Sequence, residues 1–382
     1  MTLVVSRVTD HAALDALVPE WDALDAEVRL RTPFTSSLWN RLWLRHLCEK
    51  QWTVRDEMSV FVVRDKQHRL VGIAPMMCTT RPATGPLCMR VLQFVGADPN
   101  MTELRRVICR PDDEARVVTA LMRMLEGTTQ AWERVEWAGL SQPDAIEWGG
   151  LPISEGESLP MYYLQLPDSW ETFRAGLSRN IKESLRKCYN SLKRDGFAET
   201  FRSVESPTEV PAAIDAFFEL HRARADADVA VSHRDIFSSQ KYRDFLHAYA
   251  AQLATEGRTH AFQLLIDGKI VATRIGFSFG RTLYLYYSGY DQDWAKYSVM
   301  TTTVAEALKW AIANNFDVVN LSTGTDVSKT RWGPEVSLFH SRIVQAPGTR
   351  ARLVSELYRN VLRLQDRTSP VARLLGRMRR DA

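Results

Sequence analysis

Apolar positions recur at helical spacing near the start of the chain: Leu14, Leu17, Val18, Trp21 and Leu24 fall three and four residues apart and predict an amphipathic helix. After Thr32-Pro33-Phe34-Thr35, Ser36 or Ser37 is placed to cap a second helix carrying Leu38, Leu42 and Trp43. The pattern then becomes strand-like. Ser59–Arg64 and Leu70–Cys78 flank the polar turn Asp65-Lys66-Gln67-His68-Arg69. A strand over Arg90–Val95, a helix from Asp113 to Glu126 and a strand over Arg134–Gly139 follow. The stretch Leu140–Pro160, rich in Pro, Gly and Ser, has little periodicity and is expected to join two halves.

The second half repeats this logic. Helical patterning runs over Ser169–Asp195, Pro207–Ala225 and Asp235–Glu256. Strands His260–Ile266 and Lys269–Phe279 meet at Asp267-Gly268, a strong hairpin signal. Arg281–Tyr290 reads as a third strand, followed by a helix over Met300–Asn314 and a strand over Phe316–Leu321. The hairpin Val60–Pro75 overlays Ala261–Gly276, strand on strand and turn on turn, which fits a duplicated unit. The expected fold class is therefore α/β (layered α+β), with two like halves. Each is a mixed, mostly antiparallel sheet flanked by helices.

Length agrees with this division, since 382 residues exceed one ordinary core. No apolar run reaches the length of a membrane span, and Met1–Val5 lacks the basic start and long apolar run of a signal peptide. Cys48, Cys78, Cys88, Cys109 and Cys188 are odd in number and widely spaced, so reduced thiols in a cytoplasmic protein are expected, with no metal site. Charge is uneven. The net +3 combines a stretch Thr349–Ala382 at +6, with nine arginines against Glu356, Asp366 and Asp381, and a body at −3. Leu353, Leu357, Val361 and Leu364 form an apolar stripe in that stretch, beside Arg352, Arg359 and Arg363, and the pattern resumes after Pro370. A basic amphipathic tail suits either docking on the body or an anionic membrane surface.

The most informative segment is Leu283–Leu321, a strand, a turn and a helix start in succession. The first N–H groups of a helix and its dipole can hold a phosphate or pyrophosphate. Ser298, Thr301, Thr302 and Thr303 supply hydroxyls there, and Lys296 a charge. A plain capped helix on a sheet has the same local pattern.

The run Ser288-Gly289-Tyr290-Asp291, Trp294, Lys296-Tyr297-Ser298-Val299, followed by Asn320–Asp326, Lys329 and Trp332, resembles the CelD-like acetyltransferases, a GNAT-related family. Pro33–Ser36 with Trp39 and Trp43, Leu70–Met76, and Ser178-Arg179-Asn180 through Gly196-Phe197 resemble its upstream elements, so the likeness extends to about Gln345. Val299-Met300 departs from the family's Pro-Gly, and Asn320 from its Asp.

The resemblance implies two GNAT-like halves, residues 1–150 and 151–348, followed by the tail 349–382. It also implies transfer of an acyl group from acyl-CoA, as co-substrate, to an amine acceptor, either a lipid or sphingoid-type amine or an amino sugar of a surface polysaccharide. His221 is the first candidate base, with Tyr290 as acid and Asp291 as the carboxylate alternative. Ser288, Gly289, Lys296, Tyr297, Ser298, Val299, Met300 and Thr301 are the expected donor-binding residues. Arg179, Arg186, His233, Lys329 and Trp332 are the expected substrate-binding residues. The expected location is cytoplasmic, peripheral at the inner membrane. Two other readings stay open: a Fem-like transferase that takes its acyl group from aminoacyl-tRNA, and a non-catalytic binding protein on the same fold.

Overall fold

The computed structural model describes residues 3–98, 100–226 and 235–365. Its first half contains β1 (Val4–Val8), α1 (His11–Ala16), α2 (Val18–Asp25), α3 (Ser37–His46), β2 (Lys50–Gln51), β3 (Val54–Arg64), β4 (Leu70–Arg81), β5 (Met89–Phe94), β6 (Ile108–Cys109), α4 (Glu114–Glu126) and β7 (Arg134–Leu140). Then come β8 (Ile153–Glu155), β9 (Leu159–Gln165), α5 (Trp170–Gly176), α6 (Arg179–Arg194), β10 (Glu199–Val204), α7 (Val210–Asp226) and α8 (Gln240–Ala254). The chain continues through β11 (Thr259–Ile266), β12 (Lys269–Phe279), β13 (Thr282–Tyr290), α9 (Val299–Ala313), β14 (Val318–Thr323), α10 (Val327–Thr330), β15 (Glu335–Gln345) and α11 (Thr349–Gln365).

One unit occurs twice. Antiparallel β3, β4 and β5 are followed by crossover helix α4 and by β7, parallel to β5. Antiparallel β11, β12 and β13 are followed by α9 and by β14, parallel to β13. A crossover helix is what a parallel neighbour requires, because a tight turn cannot reverse the chain twice. The halves are joined by one strand: Glu335–Phe339 of β15 pair with β9, while His340–Gln345 pair with β7. The sheet order is therefore β1-β3-β4-β5-β7-β15-β9-β14-β13-β12-β11-β10.

Local chemistry accounts for several boundaries. Ser36 caps α3 by accepting from the Trp39 N–H at 3.2 Å. The patterned region 169–195 is two helices, because Leu177 is extended and Ser178 caps α6 afresh. Several strands lie outside the sequence expectation: β1, β2, β6, most of β9, β10 and β15. Part of the Leu140–Pro160 join is also strand, as β8 and the start of β9.

The largest core cluster crosses between the halves. Trp21, Phe34, Trp39 and Trp43 of the first meet Phe217, Phe237, Phe245, Tyr249, Phe277 and Tyr286 of the second. Helix α11 docks on the first half, with Ala351 and Val354 buried and Val354 packed with Met89 and Val91. Arg350 and Arg90 share the buried carboxylate of Glu133. Leu353 and Leu357, from the expected apolar stripe, face outward instead. Residues 366–382 of the tail lie outside the described residues.

Candidate functional site

A bulge in β13 sets up the site. Ser288 faces Arg274 on β12 and Leu285 faces Gly276, so Tyr286 and Tyr287 together oppose Ile275. The extra residue breaks the alternation. Tyr284, Tyr286 and Tyr287 pack toward the first half, while Leu285, Ser288 and Tyr290 line a cavity of about 260 Å³. Strand β14 pairs with β13 only from Thr282–Tyr284 to Val318–Asn320. Beyond that pairing the two strands part, and the cavity lies at the parting.

The first turn of α9 forms another wall through Ser298, Val299, Met300 and Thr301. Ser298 is left-handed at φ 55°, and its carbonyl accepts the Thr301 N–H at 2.8 Å. Val299 and Met300 thus contribute the helix's leading N–H groups, at the positive end of a 15-residue helix. Three cationic residues complete the wall: Arg274, Lys329 and Arg331. Arg331 donates to Thr301 Oγ1 at 3.2 Å and to Ser184 Oγ at 2.8 Å. Arg274 donates to the Leu285 carbonyl at 3.0 Å. Lys329 donates to the Thr323 carbonyl and to Ser322 Oγ at 3.4 Å, with Asp326 at 3.5 Å. Burial pushes its ammonium below the usual lysine range, against the pull of Glu103. Leu285, Val304, Leu321 and Trp332 give the cavity an apolar side. An anionic head with a less polar arm fits these walls.

Of the residues expected to bind ligand, Ser288, Ser298, Val299, Met300, Thr301, Lys329 and Trp332 line this cavity together with Tyr290. Val299 is buried and Met300 half-buried, and both stand on this wall where they border the approach to the backbone. Gly289 is placed differently. It lies against the backbone of α7, where an added Cβ would come within 2.5 Å of the His221 nitrogen. His221 is buried on that side of β13, its ring near Phe217, Phe237 and Tyr287. Its Nδ1 lies 3.2 Å from the Ser288 carbonyl and its Nε2 3.9 Å from Asp235.

Asp291 accepts from the Asp293 N–H and pairs with Lys269 at 2.8 Å; that contact holds its carboxyl below the usual range. Tyr297 is buried and donates to Asp195 at 2.9 Å, and the exposed Lys296 lies over its ring. Arg179 and Arg186 are exposed on α6, Arg179 pairing with Glu183. His233 lies outside the described residues.

Sequence reasoning missed Arg274, Arg331 and Glu103. Arg274 had a signal, as the one charge inside the apolar run Ile270–Phe279. Glu103 had none. It belongs to a first-half loop that reaches β13, where it accepts from the Tyr284 hydroxyl. Tyr286 donates to the Met101 carbonyl at 2.6 Å and Tyr287 to that of Asn100 at 2.9 Å. Among the described residues, no group of His, Cys, Asp and Glu could hold a metal ion.

Residues 179–330 match the sequence profile of the GNAT acetyltransferase domain. No curated protein matches the chain. Among solved structures the chain is similar to FemX, at 10% identity and a TM-score of 0.56, over 89% of this chain and 97% of that one. It is also similar to the C-terminal domain of a putative lysylphosphatidylglycerol synthetase from Agrobacterium fabrum, at 12% identity and a TM-score of 0.49, covering 91% and 95% of the two chains. A tandem GNAT protein from the clavulanic acid biosynthesis pathway matches at 12% identity and a TM-score of 0.44, covering 91% and 100%. Residues 179–330 thus carry a GNAT acetyltransferase domain by sequence, and the chain has the fold of FemX along most of its length.

Proposed function

We propose that the chain is an acyl-CoA-dependent N-acyltransferase, with the donor in the cavity beside Ser288–Tyr290 and an amine as acceptor. The observation that carries this reading is the cavity itself. A helix start and three cationic side chains meet an apolar wall where two parallel strands part. A pyrophosphate suits the Val299 and Met300 N–H groups with the Ser298 and Thr301 hydroxyls. The apolar side suits the pantetheine arm, and the β13 backbone at Ser288-Gly289 lies where a donor could polarise a thioester carbonyl.

In this reading Tyr290, on the cavity wall, protonates the leaving thiolate. His221 acts from behind the strand, holding the Ser288 carbonyl, and Asp291 fixes the turn that follows. Arg179 and Arg186, exposed on α6, are left to contacts with the acceptor outside the cavity.

Titration with CoA, acetyl-CoA and a long-chain acyl-CoA, together with thiol release, tests the reading. Thr301→Glu sets a carboxylate against the helix start in place of a hydroxyl, and it is expected to weaken CoA binding about 10- to 100-fold. A wild-type protein that binds no CoA species would sink the proposal. Binding of tRNA that weakens steeply with salt would favour an aminoacyl donor instead.

The acceptor is proposed to be a lipid amine or surface amino sugar, met at an anionic membrane surface. Helix α11 supports this placement, since Leu353 and Leu357 stand exposed one turn apart beside Arg352. Replacing both leucines by serine is expected to reduce binding to phosphatidylglycerol-containing liposomes at least about fivefold, judged from roughly 0.8 kcal/mol per withdrawn methylene. Equal co-sedimentation of wild type and variant would remove the membrane from the proposal.

A further inference from the structure

The parting of β13 and β14 has two faces. The donor cavity occupies one. On the other, the first-half loop that carries Glu103 closes over the tyrosines of β13. Glu103 takes a hydrogen bond from the Tyr284 hydroxyl, and the Ser322 hydroxyl also acts to hold its carboxyl down. Ser322 sits in the gap itself, with its backbone at φ 75°, and its Oγ is 3.4 Å from the Lys329 ammonium on the donor wall. One layer of side chains therefore separates Glu103 from the donor cavity.

Glu103 also lines a second cavity, of about 550 Å³, built from both halves: the loop 96–105, β7, residues 156–159 and β15. Three further carboxylates stand on its walls. Asp98 is engaged by the Trp43 indole at 2.8 Å and by the Thr102 N–H and hydroxyl, and Glu136 pairs with Arg134 at 2.9 Å. The third, Glu157, belongs to the 156–159 rim, and His340 on β15 is held by Ser158 at 3.0 Å. Glu103 is the carboxylate of this set that also touches the strand gap.

We infer that this second cavity receives the acceptor's primary ammonium, and that Glu103 takes its proton. The inference rests on the acyl-CoA reading and names the acceptor side of the same site. The ammonium gives one proton to the Glu103 carboxylate, which returns it to solvent through the cavity. The amine nitrogen attacks the thioester carbonyl carbon and the C–S bond breaks. The second nitrogen-bound proton goes to the thiolate, so amide, thiol and one released proton balance the ammonium and thioester consumed. Burial raises the Glu103 carboxyl while Lys329, Tyr284, Ser322 and Arg274 hold it down; the net direction is upward.

The test uses the full-length protein with acetyl-CoA as donor and hexylamine as the amine probe. Wild type, Glu103→Gln and Glu103→Asp are compared for CoA affinity, thiol release from pH 5 to 9, and the position of hexylamine in crystals of the CoA complex. The expected result is CoA affinity unchanged in Glu103→Gln, with thiol release down about 100-fold at neutral pH. The rise in rate from acid to neutral pH should vanish in that variant and return in part in Glu103→Asp. Hexylamine nitrogen against the Glu103 carboxylate is the expected density. A Glu103→Gln enzyme with the wild-type rate and pH profile overturns the inference, as does CoA-bound protein with no hexylamine in the cavity. Failure of wild type to bind CoA overturns the donor reading and this inference with it; the separate CoA titration tells the two failures apart.

Discussion

Trp39→Ala is expected to lower the unfolding free energy by about 4 kcal/mol, within the range for emptying a buried tryptophan site. The side chain is fully buried, with ring centroids 4.8 Å from Phe34 in its own half and 4.8 Å from both Phe245 and Tyr249 on α8. Tyr286 lies 5.9 Å away on β13. Alanine would leave a void bordered by both halves, and neither can close it without shifting α8 or β13. The indole N–H also donates to Thr102 Oγ1 at 3.1 Å, and Thr102 in turn binds Asp98. The loop that carries Glu103 is thereby tied to the same residue. Denaturant melts should show the loss, and thiol release should fall further than the unfolded fraction explains. Trp39→Phe keeps most ring contacts and loses only the N–H, so it should cost less than half as much. A Trp39→Ala protein as stable as wild type to within about 0.5 kcal/mol would show that the junction does not depend on this packing.

Features whose causes are local were legible in the sequence. Asp267-Gly268 gives the β11–β12 hairpin, with Asp267 at φ 49° and Gly268 at φ 82°, because that turn chemistry lies in two adjacent residues. Ser36 caps α3 for the same reason. The start of α9 beside the third strand of its half was also readable, since strand, turn and helix follow within twenty residues. What escaped depends on distant partners. Strands β1 and β10 are short and mostly exposed, so they carry little alternation to read. Strand β15 changes neighbours midway, from β9 to β7, and its side chains are half-buried along most of its length. The bulge at Tyr286-Tyr287 shows only in the register with β12, so the sequence could not tell which tyrosines face the cavity. Glu103 meets Tyr284 across 181 positions of chain, and no window of sequence holds both.

Gly289→Val should be nearly as damaging, for a different reason. Gly289 has no left-handed backbone to protect; the constraint is space. A Cβ there would lie 2.5 Å from the His221 nitrogen, 2.7 Å from the Leu220 carbonyl carbon and 2.8 Å from the Leu220 Cβ. Two of these are backbone atoms of α7, which cannot rotate aside as a side-chain tip would. Even Gly289→Ala is therefore expected to cost about 3 kcal/mol, the upper end of the overpacking range, and valine more. Helix α7 would have to lift from β13, which breaks the His221 contact with the Ser288 carbonyl and displaces the stretch that bears Ser288 and Tyr290. Under the proposed function, folded Gly289→Ala protein should bind CoA about tenfold more weakly, a loss equivalent to roughly 1.4 kcal/mol. Gly176→Ala is the matched control. It ends α5 with nothing within 4 Å of an added Cβ, so its stability should stay within about 0.5 kcal/mol of wild type. Equal melting midpoints for Gly289→Ala and Gly176→Ala would mean that α7 does not need to lie this close to β13. The bulged strand would then be held in place by the tyrosine contacts to the first half alone.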